Sequence, residues 1–238
     1  MLCLFPFEKD LFEAAGLETV CMGHPLVDQL ERERVDGPRE KNLVGLFPGS
    51  REREVARLFP LMVQTARRLH ASYPEWRFEA SAASESLQLL MSRVVEKKEA
   101  ERLPIEIVLR NSHQLMQRAS CGVVASGTAT LEATYYGLPY CLVYKVAWPT
   151  YLAGRAVVDI EHLGMANILA GREIVHEFIQ RDASVANLGS FVESVMTDPV
   201  RRKELTRNLL ETAARLGSGG AAGIGAKAIV DLLERDGD

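Results

Sequence analysis

The sequence predicts an α/β protein in which a parallel sheet is flanked by helices, and three observations carry that prediction. Short apolar runs of strand length alternate with longer stretches of helical periodicity through most of the 238 residues. The composition, 47% hydrophobic and 25% charged, suits a chain that buries a real core as one or two domains. After Tyr144 the strand signal fades, leaving a helical appendage at the C-terminus.

In chain order, strands are expected at Leu2 to Phe5 and Thr19 to Gly23, which read as the end of a preceding domain or an interdomain segment (1–30). Residues 31–41, Glu-Arg-Glu-Arg-Val-Asp-Gly-Pro-Arg-Glu-Lys, are polar and read as a linker. The main domain (42–165) opens with a strand at Asn42 to Phe47. A helix follows from about Arg51 to Ser72, with Val55, Leu58, Phe59, Met62, Val63, Ala66 and Leu69 at helical spacing and Pro74 beyond its end. Further strands are expected at Arg77 to Ala80, Ile105 to Leu109, Gly122 to Ala125 and Tyr140 to Tyr144, with helices in the gaps. A helix is expected at Thr150 to Val158, its Trp148, Tyr151 and Leu152 packed inward. The appendage (166–238) reads as helices at Ser184 to Met196, Pro199 to Leu216 and Gly225 to Arg235. Asp198-Pro199 is a cap followed by proline, and Gly217-Ser-Gly-Gly-Ala-Ala-Gly a flexible connector between the last two helices.

A net charge of −4 and a pI near 5.8 give no global field for nucleic acid, so an anionic ligand must be held locally. Cys3, Cys21, Cys121 and Cys141 form no C-x-x-C pair and read as reduced thiols of a cytoplasmic protein. No uninterrupted apolar run approaches bilayer length, because Glu132, Lys145, Arg155 and Asp159 punctuate the most hydrophobic region. The first residues carry neither the basic nor the long apolar region of a signal peptide.

Two turns are suited to phosphate chemistry. Leu43 to Phe47 runs through Pro48-Gly49-Ser50-Arg51 directly into the long helix. Unpaired amides at a helix start, a seryl hydroxyl and the permanent charge of Arg51 can hold a phosphate. The same residues also fit a plain turn with Ser50 as cap and Arg51 in solvent. The second turn, Ala125-Ser126-Gly127-Thr128-Ala129, again leads from strand to helix, and Glu132 follows one turn in. Gly127 permits close backbone approach, and a carboxylate at 132 can accept hydrogen bonds from vicinal ribose hydroxyls. Here too a capped helix whose Glu132 complements the dipole would read the same way. Together, at the carboxyl ends of strands in one parallel sheet, the turns suit a diphosphate flanked by a ribose and a sugar. None of the five histidines, His24, His70, His113, His162 and His176, has metal-ligand spacing, so metal-free chemistry is expected. His24, beside Pro25, reads as a turn or interdomain residue.

Leu46-Phe-Pro-Gly-Ser-Arg-Glu-Arg-Glu-Val55, Ala125-Ser-Gly-Thr-Ala-Thr-Leu-Glu132 and Asn167-Ile-Leu-Ala-Gly-Arg-Glu173, with Phe5-Pro-Phe-Glu-Lys9 and Gly23-His-Pro25, resemble lipid-A-disaccharide synthases, in the family's order. The resemblance implies the Rossmann-like C-terminal domain of a two-domain GT-B glycosyltransferase, with an acceptor-binding half expected on the N-terminal side. It implies an inverting transfer of 2,3-diacylglucosamine from UDP-2,3-diacylglucosamine to 2,3-diacylglucosamine 1-phosphate (lipid X), with no cofactor. By position, Gly49, Ser50 and Arg51 are expected at the UDP phosphates, Arg51 as leaving-group stabiliser. Ser126, Gly127, Thr128 and Ala129 would supply further amides and hydroxyls, Glu132 would hold the ribose, and Asn167 would lie near the donor. Glu54 is expected to orient Arg51, and the general base to lie in the acceptor half. Ala166 stands where the family pattern has proline. The resemblance also implies a homodimer through the C-terminal helices, and peripheral contact with the inner face of the inner membrane. Other GT-B enzymes, UDP-sugar epimerases and a non-catalytic UDP-binding remnant share the phosphate turns and remain alternatives.

Overall fold

The computed structural model describes residues 1–35, 37–96, 105–146 and 162–235. A small parallel pair, β1 (Leu2–Cys3) and β2 (Val20–Cys21), holds the start of the chain around α1 (Pro6–Ala14), and α2 (Leu26–Arg32) follows. The main sheet contains β3 (Glu40–Phe47), β4 (Arg77–Ala82), β5 (Ile105–Leu109), β6 (Ala119–Ala125), β7 (Tyr140–Tyr144) and β8 (Glu177–Ile179). Between them run α3 (Glu52–Ser72), α4 (Glu85–Glu96), α5 (Ser112–Arg118), α6 (Thr128–Tyr135) and α7 (Met165–Ala170). After β8 come α8 (Val185–Thr197), α9 (Pro199–Ala213), a 3₁₀ turn (Ala214–Leu216) and α10 (Ala221–Arg235).

All strand pairs of the main sheet are parallel, in the order β5-β4-β3-β6-β7-β8. The order reverses between β3 and β6, and in a doubly wound sheet ligands bind at the carboxyl ends of the strands at such a reversal. The α/β class and the parallel sheet are therefore as predicted. β8 is a correction: the reading after Tyr144 had helices alone, and the sheet in fact continues to Ile179, beyond the expected boundary at 165. The expected linker also shortens to the stretch between the end of α2 at Arg32 and the start of β3 at Glu40. The expected helix at 150–158, with Trp148, Tyr151 and Leu152, lies outside the described residues.

Each face of the sheet has its own core. On one, α3 lays Val55, Leu58, Phe59, Met62, Val63, Ala66 and Leu69 against Val44, Leu46, Phe78 and Val123, with α4 and α8 beside it. Burial of each large apolar side chain in that stripe contributes about 1.5–3 kcal/mol. On the other face, Leu30, Leu115, Met116, Leu131, Leu138, Leu142 and Leu209 bring in α2, α5, α6 and α9. Cys121 and Cys141 are buried in the first of these cores and Cys3 is buried on β1, and all four cysteines are free. Burial pushes the Cys121 thiol up to about 12, which makes it inert at neutral pH.

Two charged groups fasten the sheet. Arg118, ending α5, makes a two-pronged contact with buried Glu79 on β4 at 2.8 and 3.1 Å, and reaches Glu40 at 2.6 Å. Arg39, just before β3, spends its guanidinium on backbone carbonyls. Nη1 donates to Met116, Gln117 and Ala119 at 2.6, 3.1 and 2.8 Å, and Nη2 donates to Tyr136 at 2.5 Å. These oxygens lie at the carboxyl ends of α5 and α6, where a cation opposes the negative end of the helix dipole. Desolvation lowers its pKa to about 10, which leaves it charged at neutral pH.

Among the described residues, one stretch, Pro199–Arg235, is apolar and long enough to cross a membrane by length and composition, a stretch the sequence reading did not single out. It is folded as α9, the 3₁₀ turn and α10, interrupted at Gly217 to Gly220. α9 turns Leu209, Thr212 and Ala213 inward, whereas Ile229, Val230, Leu232 and Leu233 of α10 are exposed.

Candidate functional site

The carboxyl ends of β3 and β6 lie side by side, Phe47 in register with Val124. Above them opens a cavity of about 550 Å³ whose wall includes Gly49, Ser50, Arg51, Glu54, Ser126, Gly127, Thr128, Ala129 and Glu132. The two predicted turns thus meet in one place.

The β3–α3 turn depends on Gly49, whose φ of +102° is rarely open to a side chain. A Cβ there would fall 2.8 Å from Glu54 Oε2. Glu54 is therefore packed across the bare glycine, and from that position accepts a hydrogen bond from Arg51 Nη1 at 3.2 Å. Arg51 caps α3 with extended backbone, and its side chain is 82% exposed. The cap is Arg51 rather than Ser50, which leaves the Ser50 hydroxyl exposed at the cavity. In the first turn of α3 the amides of Glu52 and Arg53 have no carbonyl within their own helix, as at any helix start.

The β6–α6 turn is built the same way. Gly127 caps α6 at φ 150° with open space around it, and Thr128 is exposed. Thr130 folds its hydroxyl back onto the Gly127 carbonyl at 2.7 Å and so fixes the first turn. Glu132, one turn in, has a side chain only 15% exposed and lies on the cavity wall.

Further wall comes from a segment that sequence reasoning did not assign to the site: Arg110, Asn111, Ser112, His113 and Gln114, between β5 and α5. Arg110 adopts φ +52°, an uncommon conformation for a side-chain-bearing residue, as the chain turns from β5. His113 stands between two carboxylates, its Nδ1 2.5 Å from Glu33 and its Nε2 3.4 Å from Glu132. The contact with the Glu132 carboxylate and then the hydrogen bond with Glu33 outweigh desolvation and push its pKa up to about 9. Its hydrogen bond in turn holds the Glu33 carboxyl below the usual range.

Asn167 is not brought to this cavity. It is fully buried in α7, where Nδ2 donates to the Val175 carbonyl at 2.8 Å and to Glu177 Oε1 at 2.7 Å. Its Oδ1 accepts from the amides of Ile174 and Val175 at 2.8 and 2.9 Å. These bonds hold the return from α7 to β8, a structural role away from the cavity between β3 and β6, whereas the sequence reading expected Asn167 near the donor. Ala166, where the family pattern has proline, is buried one residue earlier. His24 accepts from the Leu26 amide at 3.1 Å and shapes the turn into α2, and burial lowers its pKa. Among the described residues no group of three or more His, Cys, Asp or Glu side chains is placed to hold a metal ion.

Compared with known proteins, residues 1–214 match the model of the lipid-A-disaccharide synthetase family. The chain belongs to that family. The lipid-A-disaccharide synthase of Geobacter sulfurreducens is 32% identical over 244 residues, covering 98% of this chain and 62% of the relative. That of Syntrophus aciditrophicus is 32% identical over 243 residues, with 99% and 63% covered. The chain thus spans about 62% of the length of these relatives. Among solved structures, UDP-GlcNAc 2-epimerase from Neisseria meningitidis, bound to UDP-GlcNAc, superimposes with a TM-score of 0.61 at 12% identity, covering 95% of this chain and 60% of the epimerase. The S. aureus MnaA structure with UDP gives 0.61 at 14% identity, covering 91% and 54%. At such identities the chain and these two structures share the fold alone.

Proposed function

We propose that this chain is the donor-binding part of a lipid-A-disaccharide synthase and that the cavity between β3 and β6 holds the UDP of UDP-2,3-diacylglucosamine. The observation that carries the reading is the meeting of two glycine-dependent helix starts at the reversal of strand order, with Arg51 on one and Glu132 on the other. Helix amides and a guanidinium complement a diphosphate, and a carboxylate complements the ribose diol. In the reaction, a hydroxyl of lipid X attacks the anomeric carbon with inversion. The anomeric C–O bond to UDP breaks, and the products are lipid A disaccharide 1-phosphate and UDP. Negative charge grows on the departing diphosphate, where prepositioned amides and Arg51 stabilise it. The chemistry needs no redox cofactor, and we assign the charge-stabilising work to the protein rather than to a metal. The general base belongs to the acceptor-binding half. The lipid substrates place the enzyme at the cytoplasmic face of the inner membrane, and the exposed apolar side chains of α10 suit a further surface, either that membrane or a second copy.

Titration calorimetry tests the reading. UDP is expected to bind, and Arg51→Ala to weaken it about tenfold, the equivalent of one charge-assisted hydrogen bond of about 1.4 kcal/mol. Folded protein that does not bind UDP would overturn the assignment.

A further inference from the structure

The cavity contains an imidazole that neither phosphate turn accounts for. His113 is the second residue of α5, and its side chain is 13% exposed. A protonated histidine in the first turn of a helix opposes the dipole, so stabilising α5 does not explain its position. Its surroundings do. Glu33 approaches from the end of α2, Glu132 from α6, and the ring of Tyr136, the residue that follows α6, covers it at 5.8 Å. On its own helix, Gln117 takes the His113 carbonyl and donates to the Glu33 carbonyl, while its amide oxygen receives the Val35 amide, which ties α5 to the segment after α2. Arg34, the next residue along, turns away to Glu31 and the Tyr135 ring.

Glu132 therefore has one carboxylate oxygen, Oε2, facing His113, and among the described residues its side chain has no other polar partner. Oε1 is left for a ligand. A free glutamate loses about 1.5–2 kcal/mol of rotamer freedom when a ligand fixes it. One already fixed by a neighbour has met that cost in advance.

We propose that His113 is a positioning residue: bridging Glu33 to Glu132, it holds the Glu132 carboxylate aimed into the cavity and thereby sets the preference for a ribonucleotide over its 2′-deoxy counterpart. The proposal rests on the reading of Glu132 as the ribose contact. A vicinal diol gives a carboxylate two donors, whereas the 2′-deoxy sugar gives one, so the ratio of the two affinities isolates this contact from the phosphates and the base.

The test is calorimetry of the whole chain with UDP and 2′-deoxy-UDP. The wild-type protein is expected to prefer UDP by about tenfold, one hydrogen bond to a charged group. Glu132→Ala should abolish the preference. His113→Ala should cut it to about twofold, and His113→Gln, which keeps one donor, should fall between. In the wild type the ratio should hold at neutral pH and fall as pH rises through about 9. Ionisation of the base is common to both ligands and cancels. Glu33→Gln removes the carboxylate charge that helps keep His113 protonated, and should move that fall to lower pH, a shift that a purely structural role would not produce. If Glu132→Ala loses the preference and both His113 variants keep it in full, the positioning role is wrong and the ribose contact stands. If the wild type shows no preference, the ribose contact fails and the proposal with it. Should His113→Ala not fold, His113→Gln and the pH shift in Glu33→Gln decide, and an unmoved ratio in both overturns the proposal.

Discussion

Replacing Asn167 by alanine separates a residue that builds the fold from one that touches ligand. The substitution takes the acceptor from the amides of Ile174 and Val175 and the donor from the Val175 carbonyl, in a place with almost no solvent contact. Each buried backbone group left without a partner costs about 1–3 kcal/mol, so three together amount to roughly 3–5 kcal/mol once partial relaxation is allowed. Glu177 also loses one contact, although Leu163 and Gly164 still donate to it at 2.9 Å each. Against the roughly 5–15 kcal/mol that holds an ordinary domain folded, the loss is a large share. Guanidinium unfolding followed by circular dichroism should show the midpoint falling accordingly. Calorimetry at low denaturant and low temperature should find UDP affinity within about twofold of wild type. A variant with an unchanged midpoint and a collapsed UDP affinity would refute the reasoning and return Asn167 to the donor.

Two other outcomes follow from the geometry. Gly49→Ala forces a side chain onto a backbone at φ +102° and drives Glu54 away from Arg51, so stability should fall by about 1–3 kcal/mol and UDP affinity by severalfold, measured by thermal melting and calorimetry. Arg118→Met strands the buried Glu79 carboxylate, with an expected loss of roughly 3 kcal/mol at neutral pH in urea unfolding. The same variant removes the main cause that depresses Glu40. A depressed carboxyl stabilises above its unfolded value and loses that contribution as pH falls through its folded one, so the gap between wild type and variant should narrow in acid.

Much of the sheet was legible because β3, β6 and β7 are largely apolar runs, as expected where both faces are covered. β8 was not, because it is three residues, Glu177 to Ile179, at the sheet edge. What places it is pairing with β7 and the contacts of the Glu177 carboxylate with Leu163, Gly164 and Asn167, all tertiary. The two strand-to-helix turns were legible because in each a short run of small residues with a glycine lies between an apolar run and a helical stretch. His113 was not, since its meaning lies in Glu132, which is 19 residues away, and Glu33, which is 80 away, and no local pattern announces either. Asn167 shows the opposite case: a recognisable motif pointed towards ligand, and the side chain is committed to four internal bonds.

Arg39 has a mechanical consequence. By gripping the carboxyl ends of both α5 and α6, it gives two short levers a common fulcrum, and the free end of each lever borders the cavity. At 1.5 Å per residue the levers are about 10–12 Å long, so a tilt of about 5° moves their tips by about 1 Å. Were they to pivot together about Arg39, His113 on one and Glu132 on the other would travel as a pair relative to Gly49. A push on the segment just before β3 would thus change the spacing between the start of α3 and the starts of α5 and α6 across the cavity.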